Sequence, residues 1–491
     1  MPGPDLVIRN ARILDGSGGP AREGDVEIRE GRIHSVGSAS AGGRELDAAG
    51  QVLAPGFVDT HTHDDAALLR YPGMEFKLAQ GCTSLVIGNC GFSAAPLRSG
   101  GPEPPGSGGL FSGVRAEWED LAGYFKAVEA QRPALNAVAL VGHNTIRALV
   151  MGADDRAPTD AELVEMRGHT ARAMEQGACG FSTGLIYRPG RYSTTEEIVA
   201  VAEPVRAHGG VYATHMRNEG DGLLEAVEET LRIGREVGCA IQISHHKAAG
   251  RANWGKVRDS LARIDEANEQ GADVTLDVYP YTAGSGPMIE YFRLDAVSTS
   301  LAEVVRIASC PAFREFEGRM VTDIAVDLGL DLAETVRKIL TAPGGERTIC
   351  IQFIIAEADI ETNLRHERMM VGSDGIPDLD GSPHPRLFGT FPRVLGRYVR
   401  DRGVLSLEEA VRRMTSLSCE RFGLVDRGRV REGYWADLVI FDPDRIADTA
   451  TYDEPKQEPV GIKSVIVNGQ IAYEDGRHTG AGAGRMLRYK R

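Results

Sequence analysis

Short runs of consecutive apolar residues recur through the middle of the chain, and segments with helical periodicity separate them. The runs include SLVIGNC at 84–90, GVYATH at 210–215, CAIQISH at 239–245, VTLDVYPY at 274–281 and MMVGSD at 369–374. Strands buried on both faces of a parallel sheet have such continuous apolar sequences. Between the runs, DGLLEAVEETLRIGREVG places Leu224, Val227 and Leu231 on one face of a predicted helix.

Strand and helix patterns alternate over residues 53–419. This alternation predicts an α/β fold with a (β/α)8 TIM-like barrel. An open, doubly wound sheet is the alternative, and the absence of a GxGxxG motif after a first strand weakens it.

The two ends of the chain differ from the middle, because short β-like runs there end at Gly, Asp or Asn. We predict that residues 1–52 and 420–491 pair into one small, discontinuous β-sandwich domain. Residues 286–347 exceed what a single helix needs between two strands. We therefore predict an inserted subdomain that acts as a lid, with a decorated loop that gates nothing as the alternative.

The formal net charge of −15 and the pI of about 5.4 argue against nucleic acid as a partner. Seven widely spaced cysteines without a CxxC pair argue against a disulfide framework. We see no signal peptide, no apolar stretch of about 18 residues and no basic amphipathic segment. These features predict a cytoplasmic protein that binds no membrane.

Each apolar run ends in a residue that can do chemistry, and the carboxyl ends of barrel strands surround an active site. One such residue would mean little, because a lone histidine at a strand end is usually structural. Several in register predict a site, and they are His61, His63, Cys90, His215, His245, Tyr279 and Asp374.

Side chains two apart in a strand point to the same side, so His61 and His63 face one cavity together. The same parity selects His245 over its neighbour in SHHK and places Lys247 beside it. Imidazole and thiolate ligands favour zinc over magnesium or calcium. Asp374 is the predicted general base, and its alternative is a cap on the next helix.

Several motifs together resemble the N-acyl-D-amino acid deacylases, the D-aminoacylases of the amidohydrolase superfamily. These motifs are GFVDTHTHDD, IGNCGFS, GFSTGLIYRPGRYSTTEEI, THMRNEG, ISHHKAAG, DVYPYTAGS and VGSDGIPD with PHPRLFGTFPRVLG. The resemblance runs nearly end to end. It implies that Cys90, His215 and His245 hold a tight zinc ion, and that His61 and His63 serve a second, weaker site near Asp374.

This sequence departs in one respect from many members of the superfamily that it resembles. Those members bridge two metals with a carboxylated lysine on the fourth strand. GACGFSTGL occupies that region here and contains no lysine. The Cys90 thiolate takes the bridging role in this interpretation. We therefore expect one metal ion to suffice.

The implied activity is hydrolysis of the amide bond of N-acyl-D-amino acids to a carboxylate and a free D-amino acid. The residues implied to contact the substrate are Lys247, Tyr187, Tyr279, Ser285 and Arg386. The position of Arg293 bears on which substrate side chain is preferred. An acidic side chain would fit if Arg293 entered the pocket. If Arg293 faces solvent, neutral or hydrophobic side chains are favoured, and this is our expectation.

Three alternatives stay open from the sequence. They are a deacylase for N-acyl-D-glutamate or N-acyl-D-aspartate, an amidohydrolase for cyclic amides, and a non-catalytic scaffold on the same fold. The expected partner is a small-molecule N-acyl amino acid, and the sequence does not determine the oligomeric state.

Overall fold

Eight parallel strands form the centre of the computed structural model, which describes residues 4–101, 103–111 and 113–489. Neighbours along the chain are neighbours in the sheet. A parallel bridge between Thr62 and Gly375 joins the segments that follow the first and last strands, so the barrel is nearly closed. The predicted (β/α)8 barrel is confirmed, and the open sheet was the wrong alternative. The strands are β1 (Phe57–Asp59), β2 (Cys82–Ile87), β3 (Asn136–Gly142), β4 (Gly180–Gly184), β5 (Val211–His215), β6 (Ala240–Ile243), β7 (Val274–Val278) and β8 (Met369–Val371).

Helices connect the barrel strands and bury their apolar faces. The helix predicted around Val227 spans Leu223–Val237 and buries Val227 and Leu231. It ends at Gly238, whose φ of 74° is one that glycine adopts readily. Among the described residues, no helix is long and apolar enough to cross a bilayer. The other helices around the barrel are Ala67–Arg70, Glu75–Leu78, Leu121–Ala130, His143–Met151, Asp160–Glu175, Thr195–Ala202, Pro204–His208, Val257–Glu269, Glu357–Arg365, Arg386–Arg393, the π-helix Val394–Asp401, Leu407–Met414 and Ser416–Phe422.

The two chain ends build one nine-stranded sheet. Strand Val52–Pro55 pairs antiparallel with Leu438–Phe441, which joins the amino-terminal and carboxyl-terminal parts. This strand runs past residue 52, where the sequence analysis places the domain boundary. The other strands are Leu6–Ile13, Arg22–Arg29, Arg32–Gly37, Arg44–Asp47, Ile462–Val467, Gln470–Glu474 and Arg477–His478.

Residues 286–347 lie within a segment that has its own antiparallel sheet and apolar core. Glu290 in this segment accepts hydrogen bonds from Arg188 Nε (2.9 Å) and Arg191 Nη2 (2.7 Å), so the segment is tied to the loop after β4. The strands are Gly284–Pro287, Val305–Ser309 and Ile349–Gln352, and the helices are Met288–Tyr291, Thr299–Ala302, Val321–Leu328 and Leu332–Thr341.

A buried lysine links the residues after β1 to those after β8. Lys77 Nζ donates to Asp59 Oδ2 (2.6 Å), Thr62 Oγ1 (3.0 Å) and Ser373 Oγ (2.8 Å). It also pairs with Asp64 Oδ2 at 3.1 Å. A buried ammonium is stable only when such partners compensate its lost hydration.

We expect Lys77→Met to lower the free energy of unfolding by about 3–5 kcal/mol, because two buried carboxylates lose their countercharge. Urea unfolding followed by circular dichroism measures the change. Lys126→Met is the control, since Lys126 is exposed on a barrel helix. An equal, small effect of both substitutions would contradict the assignment of Lys77.

Candidate metal centre

The predicted site residues meet at the carboxyl end of the barrel, and three of them have a strained backbone. Cys90, His245 and Asp374 have φ values of 53°, 35° and 49°, in the left-handed region that non-glycine residues rarely occupy. Such strain concentrates at functional sites, where the surrounding structure holds it in place.

The Cys90 thiol lies among three imidazoles from three different strands. Its Sγ atom is 3.3 Å from His61 Nε2, 3.5 Å from His245 Nε2 and 3.7 Å from His215 Nδ1. Burial by itself raises the pKa of this thiol, but the three imidazoles lower it well below its usual value. The environment therefore favours the thiolate, which is the form that binds metals.

His61 and His63 face the same cavity, as the strand parity predicts, and both contact Asp374. Asp374 Oδ1 lies 3.2 Å from His63 Nε2 and 3.5 Å from His61 Nε2. Burial lowers the pKa of His63, but its bond to Asp374 prevails and raises it to about 9. Burial raises the pKa of Asp374, but Arg386 and the histidines bring it well below its usual value. Asp374 is therefore ionised at neutral pH.

The donor set fits zinc in both number and kind. One ligand atom from each of His61, Cys90 and His245 lies within 4.8 Å of the others, and the same holds for His61, His63 and Asp374. All five residues are buried. A thiolate with imidazoles is the donor chemistry that zinc prefers. Because His61 lies closer to Cys90 than His215 does, His61 also reaches the thiolate.

Glu219 belongs to this cluster and was missed by the sequence analysis. Its Oε1 atom lies 2.9 Å from His245 Nδ1 and 2.5 Å from Lys247 Nζ, while Oε2 lies 3.4 Å from His215 Nε2. The only hint in the sequence was a glutamate four residues after His215 in THMRNEG. A glutamate four residues after a histidine is common. The spacing therefore does not identify Glu219 unless the path of the loop is known.

Asp277 supports two of the histidines, whereas His246 lies outside the cavity. Asp277 Oδ1 lies 3.3 Å from His61 Nδ1 and also accepts a hydrogen bond from the His245 backbone (2.8 Å). His246 turns away from the site, as parity predicts, and bonds Asn363 and Ser260 at 2.8 Å each.

Four of the five predicted substrate contacts are buried near the histidines, and Ser285 is half-buried. Arg386 Nη1 lies 2.9 Å from Asp374 Oδ2, and its Nη2 donates to the Ser285 carbonyl (3.1 Å). The guanidinium stacks over the Tyr279 ring, 4.5 Å from its centroid. The Tyr187 ring lies edge-on to His215, with 4.7 Å between centroids. These side chains therefore surround one region beside the imidazoles.

Arg293 lies outside this region. Its side chain is 78% exposed and pairs with Asp295 at 2.7 Å. A small cavity bounded by Ser285 and Arg386 shares Ile349 and Ile376 with a surface groove of about 140 Å³. The larger cavity of about 1030 Å³ lies at the amino ends of β5, β6 and β7, away from the histidines.

A nearly closed barrel with buried histidine, cysteine and aspartate donors at its carboxyl end defines a metal-dependent barrel enzyme. The chain belongs to the amidohydrolase family, whose model matches residues 44–308 and 253–473. It is 44% identical to a D-aminoacylase of Alcaligenes xylosoxydans xylosoxydans over 98% of this chain and 97% of that protein. It is also 44% identical to an N-acyl-D-glutamate deacylase of the same organism, over 95% and 93%.

Solved structures agree with these relatives. A D-aminoacylase with a binuclear metal centre, described as activated by one metal and attenuated by a second, matches with a TM-score of 0.92. It is 42% identical over 99% of this chain and all of that chain. An N-acyl-D-glutamate deacylase from Bordetella bronchiseptica, complexed with zinc and a phosphonate mimic of the tetrahedral intermediate, matches with a TM-score of 0.91. It is 40% identical over the same shares.

We expect Cys90→Ala to weaken zinc binding by at least about 100-fold. Loss of a residue that merely contacts a metal ligand lowers metal affinity by about 10–100-fold, and loss of a ligand itself should cost more. Metal analysis of the dialysed protein measures the loss. Cys179→Ala is the matched control, since Cys179 is an equally buried barrel cysteine far from the imidazoles. Full zinc content in Cys90→Ala would exclude Cys90 as a ligand.

Proposed function

We propose that this protein is a zinc-dependent deacylase of N-acyl-D-amino acids. The observation that carries the proposal is the buried Cys90 thiol, which faces three imidazoles beside an ionised Asp374. The near full-length similarity to D-aminoacylase supports it. The D configuration rests on that similarity alone.

The proposed ligands of a tight zinc site are Cys90, His215 and His245, with His61 and His63 at a second, weaker site. Bound zinc polarises the acyl carbonyl and makes water more acidic. Asp374 accepts the proton that water loses as its oxygen attacks the acyl carbon, and returns a proton to the departing nitrogen. His63 and Arg386 contact the two oxygens of Asp374 and so fix its orientation.

Two buried donors support a binding site for the substrate carboxylate. The Tyr279 hydroxyl and Arg386 Nε make no hydrogen bond to any described residue. Buried polar groups nearly always have a hydrogen-bond partner. An anionic ligand bound beside these two donors would accept a hydrogen bond from each. We propose that Arg386, Tyr279 and Lys247 bind the carboxylate, with Tyr187 and Ser285 at its edge.

We propose neutral or hydrophobic substrate side chains over acidic ones. An acidic side chain needs a cation, and the exposed Arg293 already pairs with Asp295. The equal identity to N-acyl-D-glutamate deacylase keeps the acidic class as the second candidate. Cyclic amides are disfavoured because β4 carries no lysine for a carboxylated bridge.

The remaining assignments are proposals of the same kind. All seven cysteines are free, which supports a reducing, cytoplasmic environment. We propose domains at 1–52 with 420–491 and at 53–419, with strand Val52–Pro55 crossing the first boundary to pair with Leu438–Phe441. We also propose that 286–347 acts as a lid, supported by the contact between the Tyr187 and Tyr291 hydroxyls at 3.2 Å.

Replacing Asp374 by asparagine should lower kcat by about 10²–10⁴-fold, because the amide cannot accept the proton. Zinc content should stay unchanged. Steady-state kinetics with N-acetyl-D-leucine and metal analysis measure both quantities. Asp380→Asn, in the same loop but exposed, is the control. An active Asp374→Asn would show that another group is the base.

A panel of N-acetyl amino acids, D and L forms of Leu, Met, Phe, Glu and Asp, tests the substrate class by amine release. We expect turnover of D-Leu, D-Met and D-Phe. Arg293→Ala should change kcat/KM for these substrates by less than about twofold, because the side chain faces solvent. Turnover confined to D-Glu or D-Asp, and lost in Arg293→Ala, would select the second candidate.

A further inference from the structure

Glu219 touches three buried groups of the centre with a single carboxylate. One oxygen contacts His245 and Lys247, and the other faces His215. Lys247 donates a hydrogen bond to this carboxylate, and one nitrogen of each imidazole lies within ion-pair distance of it.

Each imidazole uses opposite nitrogens for its two neighbours. His245 points Nε2 at Cys90 and Nδ1 at Glu219, whereas His215 points Nδ1 at Cys90 and Nε2 at Glu219. Glu219 therefore lies behind both rings, on the side away from Cys90, and Lys247 Nζ shares this side of His245 at 2.8 Å from Nδ1. This arrangement leaves the inward nitrogens facing the cavity where a metal ion would bind.

Lys247 is held by the same carboxylate. Its Nζ atom lies 2.5 Å from Glu219 Oε1 and 2.8 Å from the His245 carbonyl oxygen. These bonds fix the ammonium within 5.8 Å of the Tyr279 ring centroid, on the side where the substrate carboxylate is proposed to bind. One group therefore reaches both the metal ligands and a substrate contact.

We propose that Glu219 is a positioning residue that orients His215, His245 and Lys247 together, coupling the tight zinc site to the carboxylate site. The inference rests on the proposed function, because it assigns a role within that site. Its carboxylate also lies within 4.8 Å of ligand atoms of His215 and His245, on the side of the rings away from Cys90.

The chain offers a matched control in Glu197. This buried carboxylate also sits between an imidazole and a cation, with His143 Nε2 at 3.1 Å and Arg147 Nε at 3.0 Å. Both partners lie outside the metal centre. Loss of a buried carboxylate from such a network destabilises the fold at either position, so the two variants share the structural effect.

The experiment compares Glu219→Gln with Glu197→Gln in the zinc-loaded protein. Zinc transfer to a chromophoric chelator gives the dissociation rate, and urea unfolding gives the stability. We expect Glu219→Gln to release zinc about 10–100-fold faster, because the neutral amide loses the ion-pair contacts that hold Lys247 and the two rings in place. Glu197→Gln should release zinc at the wild-type rate. KM for N-acetyl-D-leucine should rise only in Glu219→Gln.

Two results would overturn the inference. One is a Glu219→Gln dissociation rate equal to that of the wild type, and the other is an equal acceleration in Glu197→Gln. If Glu219→Gln does not fold, Glu219→Asp replaces it, since the shorter anion cannot reach all three partners and should also release zinc faster. Wild-type protein that binds no zinc would overturn the proposed function as well. Zinc binding by the wild type therefore distinguishes failure of the proposed function from failure of the inference about Glu219.

Discussion

The structure of the site depends on one constraint, which is the need to neutralise the buried sulfur of Cys90. A buried thiolate is unstable without countercharge, and the histidines that supply it come from three separate strands. The imidazoles can reach the sulfur only if β1, β2, β5 and β6 end at the same side of the barrel. The left-handed backbone at Cys90 and His245 turns both side chains inward at that level.

The second layer of the site follows from the same electrostatics. Each imidazole that faces the sulfur has a carboxylate behind it, Asp277 for His61 and Glu219 for the other two. These carboxylates and Asp374 would leave the cavity strongly negative, in a chain whose net charge is already −15. Lys247 and Arg386 offset two of them locally, through ion pairs with Glu219 and Asp374.

The sequence predicted the barrel and the inward set of strand-end residues because period-2 geometry and continuous apolar runs are local properties of the chain. The site around Glu219 depends instead on the path of a loop and on contacts between residues distant in sequence. The same limit applies to Arg293, because the path of the inserted segment decides whether its side chain faces the pocket or solvent. It applies as well to the end sheet, where strand Val52–Pro55 crosses the predicted boundary because it pairs with Leu438–Phe441.

The contacts that close the barrel also position Asp374, the proposed base. The Asp374 amide donates to the His61 carbonyl (2.7 Å), and the His63 amide donates to the Gly375 carbonyl (3.0 Å). Lys77 joins the same two segments through Asp59 and Ser373. His61, His63 and Asp374 therefore move as a unit, whereas Cys90, His215 and His245 are held by other strands. Because His63 and Asp374 are already in contact, a cation held by His61 and His63 would engage the oxygen that must accept the proton. A metal ion held by Cys90, His215 and His245 instead would have its ligands on other strands, and Asp374 Oδ1 would keep its contact with His63.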